Sequence, residues 1–331
     1  MRNLLVLNAG TRDTLIQNFL KSASGKCQII TTDNYELAPA LYEVPKHYVT
    51  KRWNEDGYWD EIEAICERED IGLVLSLIDP ELELLAKRKS RFNKIGILVN
   101  IGDEDVIAAA YDKYETLRYL KENNYSWIKS YVTYEDASEA VLNGMLSFPL
   151  VTKPRRGSGS VGMEIVHDLE RLKQICGAGN DILIQEFIQG QEIGIDIYVD
   201  LISGEVVSVF AKKKLKMRAG ETDKSVSFKD EKLLKLVTRF AKEFGLRGVN
   251  DIDVFEKEGE YYISEVNPRF GGGYIHAYAA GVDFPTFLIN NMNGIANSPN
   301  IGAYKSDLYM MKYFAIKVLG KDELEPCVIE H

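Results

Sequence analysis

Residues 263–273, ISEVNPRFGGG, place Glu265, Asn267 and Arg269 at alternating positions of an extended segment and then run into three consecutive glycines. Residues two apart on a strand share a face, so the acid, the amide and the guanidinium line up on one side. Just upstream, VNDIDVF (249–255) and YYISEVN (261–267) read as two strands joined by a charged turn at Lys257 to Gly259, with Asp253 on the first of them. Two carboxylates and an amide oxygen are hard donors, the kind Mg2+ accepts while keeping waters and phosphate oxygens in its remaining positions. Alternating polar residues usually mark a solvated strand face. Both strands are otherwise rich in buried-strand residues, however, and buried acids need a partner, so metal ligation by Asp253, Glu265 and Asn267 is the better reading. Arg269 continues that face, where a guanidinium would hold a transferring phosphoryl group. Gly271 to Gly273 would let the chain pass close to a ligand.

Outward from this segment the chain changes character twice. The first hundred residues alternate strand-like runs (LLVLN, CQIITTD, IGLVLSLID, ILVN) with helical patterns such as RDTLIQNFLKSA, which carries Leu15, Ile16, Phe19 and Leu20 at helical spacing. That alternation predicts a parallel sheet wrapped by helices over roughly residues 1 to 110. DEDVIAAAYDKYETLRYLKENN (103–124) reads as a helical hinge, and an α+β piece then runs to about residue 187. From 188 onward hairpins dominate. IGIDIYVD sets Ile193, Ile195, Ile197 and Val199 on one face and reads as a half-buried strand. DEKLLKLVTRFAKEFG reads as an amphipathic helix ending at Gly245.

GSGSVG (157–162) satisfies G-x-G-x-x-G letter by letter, but the dinucleotide fingerprint must open a helix, and here extended MEIVHD follows. A Walker loop fails for want of G-K-[ST], and the partner motifs of a protein kinase are absent. What remains is a hairpin loop with free backbone amides and with Lys153 on the preceding strand. Alone, it reads as an ordinary glycine-rich turn beside a solvated lysine. In ILIQEFIQGQE (182–192), backbone groups at a strand end suit an adenine edge and a following carboxylate suits ribose hydroxyls, though Glu186 and Glu192 read equally well as surface acids.

Composition narrows the function classes. With 40 Lys plus Arg against 50 Asp plus Glu, the balance of -10 would repel a nucleic-acid backbone, so an anionic ligand needs a local basic site. At 331 residues, 45% hydrophobic and 27% charged, the chain suits two or three folded units. No apolar run is long enough to span a membrane and the start does not read as a signal peptide, so the expected location is cytoplasmic. Cys27, Cys66, Cys176 and Cys327 form no C-x-x-C pair and read as free thiols. No two of the four histidines have metal-ligand spacing; His276 stands nearest the glycine segment.

Taken in order, LIDPELELLA, DKYETLRYLKENN, VTKPRRGSGSVGM, IQEFIQGQE, RAGETDK and RGVNDIDVF paired with SEVNPRFGGG resemble the ATP-grasp superfamily, in particular short single-copy relatives of the carbamoyl phosphate synthetase large subunit. The resemblance implies a mixed α/β and α+β chain. A Rossmann-like pre-ATP-grasp domain (1–110) would be followed by a lid subdomain (111–187) and a central subdomain for metal and nucleotide (188–331). It implies that Lys113, which alone reads as a solvated helix lysine, and Lys153 contact ATP phosphates, and that the loop of Gly157, Ser158, Gly159, Ser160 and Gly162 closes over them. Glu186, Phe187 and Ile188 would hold adenine, Ile188 through its backbone, and Glu192 the ribose. Asp253, Glu265 and Asn267 would hold one or two Mg2+, with Mn2+ as the alternative ion, and Arg269 would act on the γ-phosphate and the acyl phosphate. Arg218 and Lys224 in KMRAGETDK would meet an anionic group of the substrate, or else form a basic surface loop.

Such enzymes activate a carboxylate as an acyl phosphate for an amine or similar nucleophile, and dimers are common among them. Two departures stand out. A full synthetase has two tandem copies where this sequence has one, and Asp253 at the metal position looks more like the D-alanine ligase branch. Three readings follow: an ATP-dependent carboxylate-amine or carboxylate-thiol ligase, a non-catalytic ATP-binding regulator, and a carbamoyl-phosphate-forming enzyme that uses bicarbonate.

Overall fold

The protein is described by a computed structural model covering residues 2–157, 159, 161–177 and 181–327. Its N-terminal part is the expected parallel sheet. The strands are β1 (Asn3–Leu7), β2 (Ile29–Asp33), β3 (His47–Val49), β4 (Ile71–Ser76) and β5 (Leu98–Val99), in the order β3-β2-β1-β4-β5. Helices α1 (Asp13–Ala23), α2 (Tyr58–Arg68) and α3 (Asp79–Lys94) cover it. Leu15, Ile16 and Phe19 are buried on α1, as their spacing predicts. Strand order reverses beside β1, so the crevice at the carboxyl ends of β1 and β4 is a topological switch point, where ligands of open α/β sheets bind.

The stretch expected to form one helical hinge is two helices, α4 (Glu104–Tyr111) and α5 (Lys113–Glu122), broken at Asp112. Asp112 adopts extended backbone and its carboxylate accepts hydrogen bonds from the amides of Tyr114 and Glu115, so the second helix starts from a capping residue that the apolar pattern alone does not reveal. The lid is a four-stranded antiparallel sheet, β6 (Ser130–Tyr131), β7 (Leu150–Pro154), β8 (Glu164–Val166) and β9 (Ile182–Glu186), ordered β6-β9-β7-β8 and carrying α6 (Tyr134–Leu142) and α7 (Leu169–Gly177). It has its own small apolar cluster around Ala137, Leu150, Val166, Leu172 and Ile184.

The central sheet has six antiparallel strands, β10 (Gln191–Val199), β11 (Val206–Arg218), β12 (Glu221–Ser227), β13 (Gly248–Lys257), β14 (Glu260–Asn267) and β15 (Tyr309–Met311), in the order β14-β13-β10-β11-β12-β15. Helix α8 (Glu231–Phe244) is capped by Asp230 and ends at Gly245, whose φ of 87° is the left-handed C-cap expected there. Helices α9 (Tyr274–Ala279) and α10 (Phe284–Met292) follow β14. The half-buried reading of β10 is corrected: the strand is central in the sheet, and from Ile193 to Val199 both faces are buried. Ile193, Ile195, Ile197 and Val199 pack beneath α8 and α5, while Tyr198 on the opposite face joins a cluster shared with Leu4, Val6 and Phe19 of the N-terminal sheet layer. That shared apolar core fixes the switch-point edge against the central sheet.

Candidate active site

A cleft of about 950 Å3 lies between lid and central sheet and reaches the switch-point edge of the N-terminal sheet. Of the residues singled out in the sequence, Lys113, Lys153, Gly157, Gly159, Glu186, Phe187, Ile188, Glu192, Asp253, Glu265, Asn267, Arg269 and Arg218 all line it. Gly162 stands beside it, with its α-carbon facing Pro154, and Ser158 and Ser160 lie outside the described residues.

The break at Asp112 positions Lys113. Asp112 also accepts hydrogen bonds from Arg155 at the end of β7, at 3.1 and 2.6 Å, tying lid to hinge. As the first residue of α5, Lys113 is buried rather than solvated: its Nζ donates to the Gly157 carbonyl at 2.5 Å and lies 3.6 Å from Glu265. Lys153 projects from β7 into the same space and, among the described residues, has no hydrogen bond or ion pair. Burial pushes its ammonium down while Glu265 opposes the shift. A cation held near acids without a direct partner is a receptor for an anion. The glycine loop runs from β7 into β8, a hairpin as its sequence context indicates. At Gly159 it comes so close to the β11–β12 turn that a β-carbon on Gly220 would lie 2.3 Å from the Gly159 carbonyl oxygen, so only a glycine at 220 admits this approach.

The acidic strands form the floor. Asp253 and Glu265 are direct cross-strand partners, and Asp251 partners Asn267. Both metal-candidate carboxylates already have ammonium neighbours. Lys214 donates to Asp253 at 2.6 Å and to Glu192 at 2.8 Å, and Lys113 stands beside Glu265. Burial pushes the Glu265 carboxyl up, against the pull of Lys113 and Lys153. Asp251 is pushed up to about 7 by burial and by the charges of Asp253 and Asp196. Behind it Lys212 and Asp196, both 1% exposed, make a buried ion pair. Among the described residues no three His, Cys, Asp or Glu side chains are grouped for a metal ion. Asp253 and Glu265 with the Asn267 amide oxygen are hard donors of the kind Mg2+ accepts.

Arg269 is held by Asp79, the first residue of α3, at 2.8 Å (Nε–Oδ1) and 2.9 Å (Nη2–Oδ2), and its Nη1 lies 3.6 Å from Asp251. Burial works against the guanidinium's charge, but Asp79 and Asp251 hold its pKa above the ordinary value. The two residues proposed for an anionic substrate group part company. Arg218 and Lys224 both pair with buried Asp223, but Lys224, which also donates to the Lys312 carbonyl, does not line the cleft. Through that bond it fastens β12 to the segment just after β15. His276 is a core residue: its Nε2 donates to the Leu308 carbonyl at 3.1 Å, leaving Nδ1 to accept from Ser225 Oγ at 2.8 Å.

At the far end, Glu186 closes β9 and Phe187 and Ile188 follow it, beside Val151 and Ile165, which face each other in the lid sheet, while Phe255 lines the central side. These supply an apolar slot with strand-end backbone at its edge. Sequence reading missed Arg12, Asp79, Lys212, Lys214, Glu221 and Asp251. AKKKLK looks like a solvated charge run, although strand alternation puts Lys212 and Lys214 on the face opposite Lys213.

Residues 4–100 match the PylC-like N-terminal domain family and residues 110–273 the ATP-grasp domain family. The carbamoyl phosphate synthase large chain of Clostridium botulinum (strain Loch Maree / Type A3) is 27% identical over 257 residues, covering 73% of this chain and 23% of its own. The chain thus spans about a quarter of that relative's length. Among solved structures, biotin carboxylase from Campylobacter jejuni in its β-γ-ATP complex superposes with a TM-score of 0.73 at 16% identity, over 93% of this chain and 74% of that one. L-amino acid ligase from Bacillus licheniformis gives 0.69 at 20% identity, over 90% and 75%. At these identities the structural likeness is one of fold. Residues 110–273 thus form an ATP-grasp domain, preceded by a PylC-like N-terminal domain.

Proposed function

We propose that the protein is an ATP-dependent carboxylate-amine or carboxylate-thiol ligase that works through an acyl phosphate and releases ADP and phosphate. The observation that carries this is the convergence in one roofed cleft of Lys113, Lys153 and Arg269 with Asp253 and Glu265. A substrate carboxylate attacks the γ-phosphorus of ATP and ADP leaves; the nucleophile then attacks the acyl carbon and phosphate leaves. Lys113 and Lys153 hold phosphate oxygens, and Arg269 neutralises charge that develops on the transferring group. Glu186 to Ile188 take the base and Glu192 the ribose. Asp253, Glu265 and Asn267 would hold Mg2+, which supplies charge neutralisation between phosphates. The roof formed by the glycine loop keeps water from the acyl phosphate.

The test incubates the full chain with Mg-ATP and pools of small carboxylates paired with amines or thiols, following phosphate release. ATP binding with no phosphate from any pool would return the protein to the class of non-catalytic binders. The identity to carbamoyl phosphate synthase favours a second reading, in which bicarbonate is the carboxylate. Phosphate release that requires bicarbonate and no organic acid selects it.

A further inference from the structure

Arg12 and Glu221 face each other across the end of the cleft nearest the N-terminal sheet, Nη2 to Oε1 at 3.2 Å. Arg12 comes from the β1–α1 connection at the switch point, and Glu221 opens β12. Lys312, which does not line the cleft, donates to the other oxygen of Glu221 at 2.7 Å and fixes that carboxylate from behind. A β-carbon on Gly272 would lie 2.5 Å from the Glu221 carboxyl carbon, so the glycine run makes room for the acid here. Arg12 has no other ion pair among the described residues, and it repels Arg269.

We propose that the Arg12–Glu221 pair is a mould for a zwitterion, and that the carboxylate substrate is an amino acid whose carboxylate is received by Arg12 beside Arg269 and whose ammonium is received by Glu221. This rests on the ligase reading. Insertion of a zwitterion exchanges one opposite-charge contact for another on each side, so neither protein charge is left alone in a recessed site. A dicarboxylate would set its second charge against Glu221, and a plain carboxylate would draw Arg12 away and leave Glu221 Oε1 without a donor. A guanidinium offers five N–H donors in a rigid fork, so Arg12 accepts a carboxylate in the bidentate manner. An anion between Arg12 and Arg269 also relieves their repulsion. Leu77 and Ile78, on the same edge, give apolar surface to the amino acid's side chain.

The experiment titrates the full chain, saturated with Mg-ADP, with a pool of L-α-amino acids, a matched pool of their deaminated carboxylic acids, and a pool of dicarboxylic acids, then with single members of the binding pool. Binding is expected from the amino acids alone. Glu221→Gln and Arg12→Lys, both close in shape, should weaken it by about tenfold or more, the loss expected for a charged hydrogen bond, with Mg-ADP affinity intact as the control for folding. Equal binding by deaminated or dicarboxylic acids overturns the proposal, as does binding by no pool or unchanged affinity in both variants. Amino acids that bind but release no phosphate when Mg-ATP and pools of amines or thiols replace Mg-ADP would refute the ligase reading instead. Turnover of deaminated acids alone would leave that reading standing and remove this one.

Discussion

Asp79 of α3 grips Arg269 after β14 through two hydrogen bonds of 2.8 and 2.9 Å, so the N-terminal sheet layer sets the position of a guanidinium that the central sheet delivers. The two residues are 190 apart in sequence. Nothing in the local pattern of LIDPELELLA announces this contact. Asp79 reads simply as an acid in a first helical turn, where the helix dipole favours it.

Replacing Asp79 by Asn keeps the shape and removes the charge, and it turns one of the two acceptors into a donor facing a donor. Misplacing a positioned group by about 1 Å costs on the order of 100-fold, so kcat for phosphate release should fall about 10- to 100-fold while Mg-ADP affinity changes little. Steady-state phosphate release alongside nucleotide titration checks this. An unchanged kcat would mean that Arg269 does its work without the N-terminal sheet.

The contrast between residues that were legible in the sequence and those that were not follows from the range of their interactions. Asp253, Glu265, Asn267 and Arg269 could be read because a period of two is a local property of a strand, and the cross-strand partnership of Asp253 and Glu265 follows from one short hairpin. The parallel N-terminal sheet was equally legible from alternating apolar runs. Lys113 needed the family resemblance, since burial of a helix lysine depends on the lid loop that covers it. Lys214, Arg12 and Glu221 have neighbours brought by strand order and by packing between layers, which no local spacing encodes. β10 looked half-buried for the same reason: its polar face meets other charged strands and the shared core rather than water.

Lys214 divides its ammonium between Asp253 and Glu192, and so competes with a cation for Asp253. Lys214→Met should strengthen Mn2+ binding to the nucleotide-free chain by about tenfold, the scale of one close charge contact in a partly buried site. Mn2+ titration followed by paramagnetic resonance reads the change. Weaker Mn2+ binding in the variant would show that Lys214 organises the acids instead of blocking them.

Lys212 and Asp196 are both almost fully buried. Lys212→Met leaves a lone carboxyl beneath the site and should cost about 3–5 kcal/mol of stability, the usual penalty for breaking a buried pair. Asp196→Leu combined with Lys212→Met should recover most of it, since paired apolar replacements are often neutral. Urea midpoints of the single and double variants decide the matter: a single variant within 1 kcal/mol of wild type would place water or another cation beside Asp196.

His276 yields a dependence on pH whose sign is fixed by its surroundings. Burial and the charge of Lys212 hold its imidazole down to about 4, against an ordinary value of 6.5. Between those values the unfolded chain binds a proton that the folded chain refuses. Stability from this group is therefore complete above about 6.5, falls as pH drops from 6.5 towards 4, and is level below that. The gap corresponds to about 3 kcal/mol at most. His276→Gln retains a donor for the Leu308 carbonyl and an acceptor for Ser225 without titrating. Its chemical-denaturation stability, plotted against pH, should run flatter than that of wild type across this window and parallel to it above pH 7. Identical slopes in the two proteins would mean that the folded imidazole takes up its proton as readily as the unfolded one.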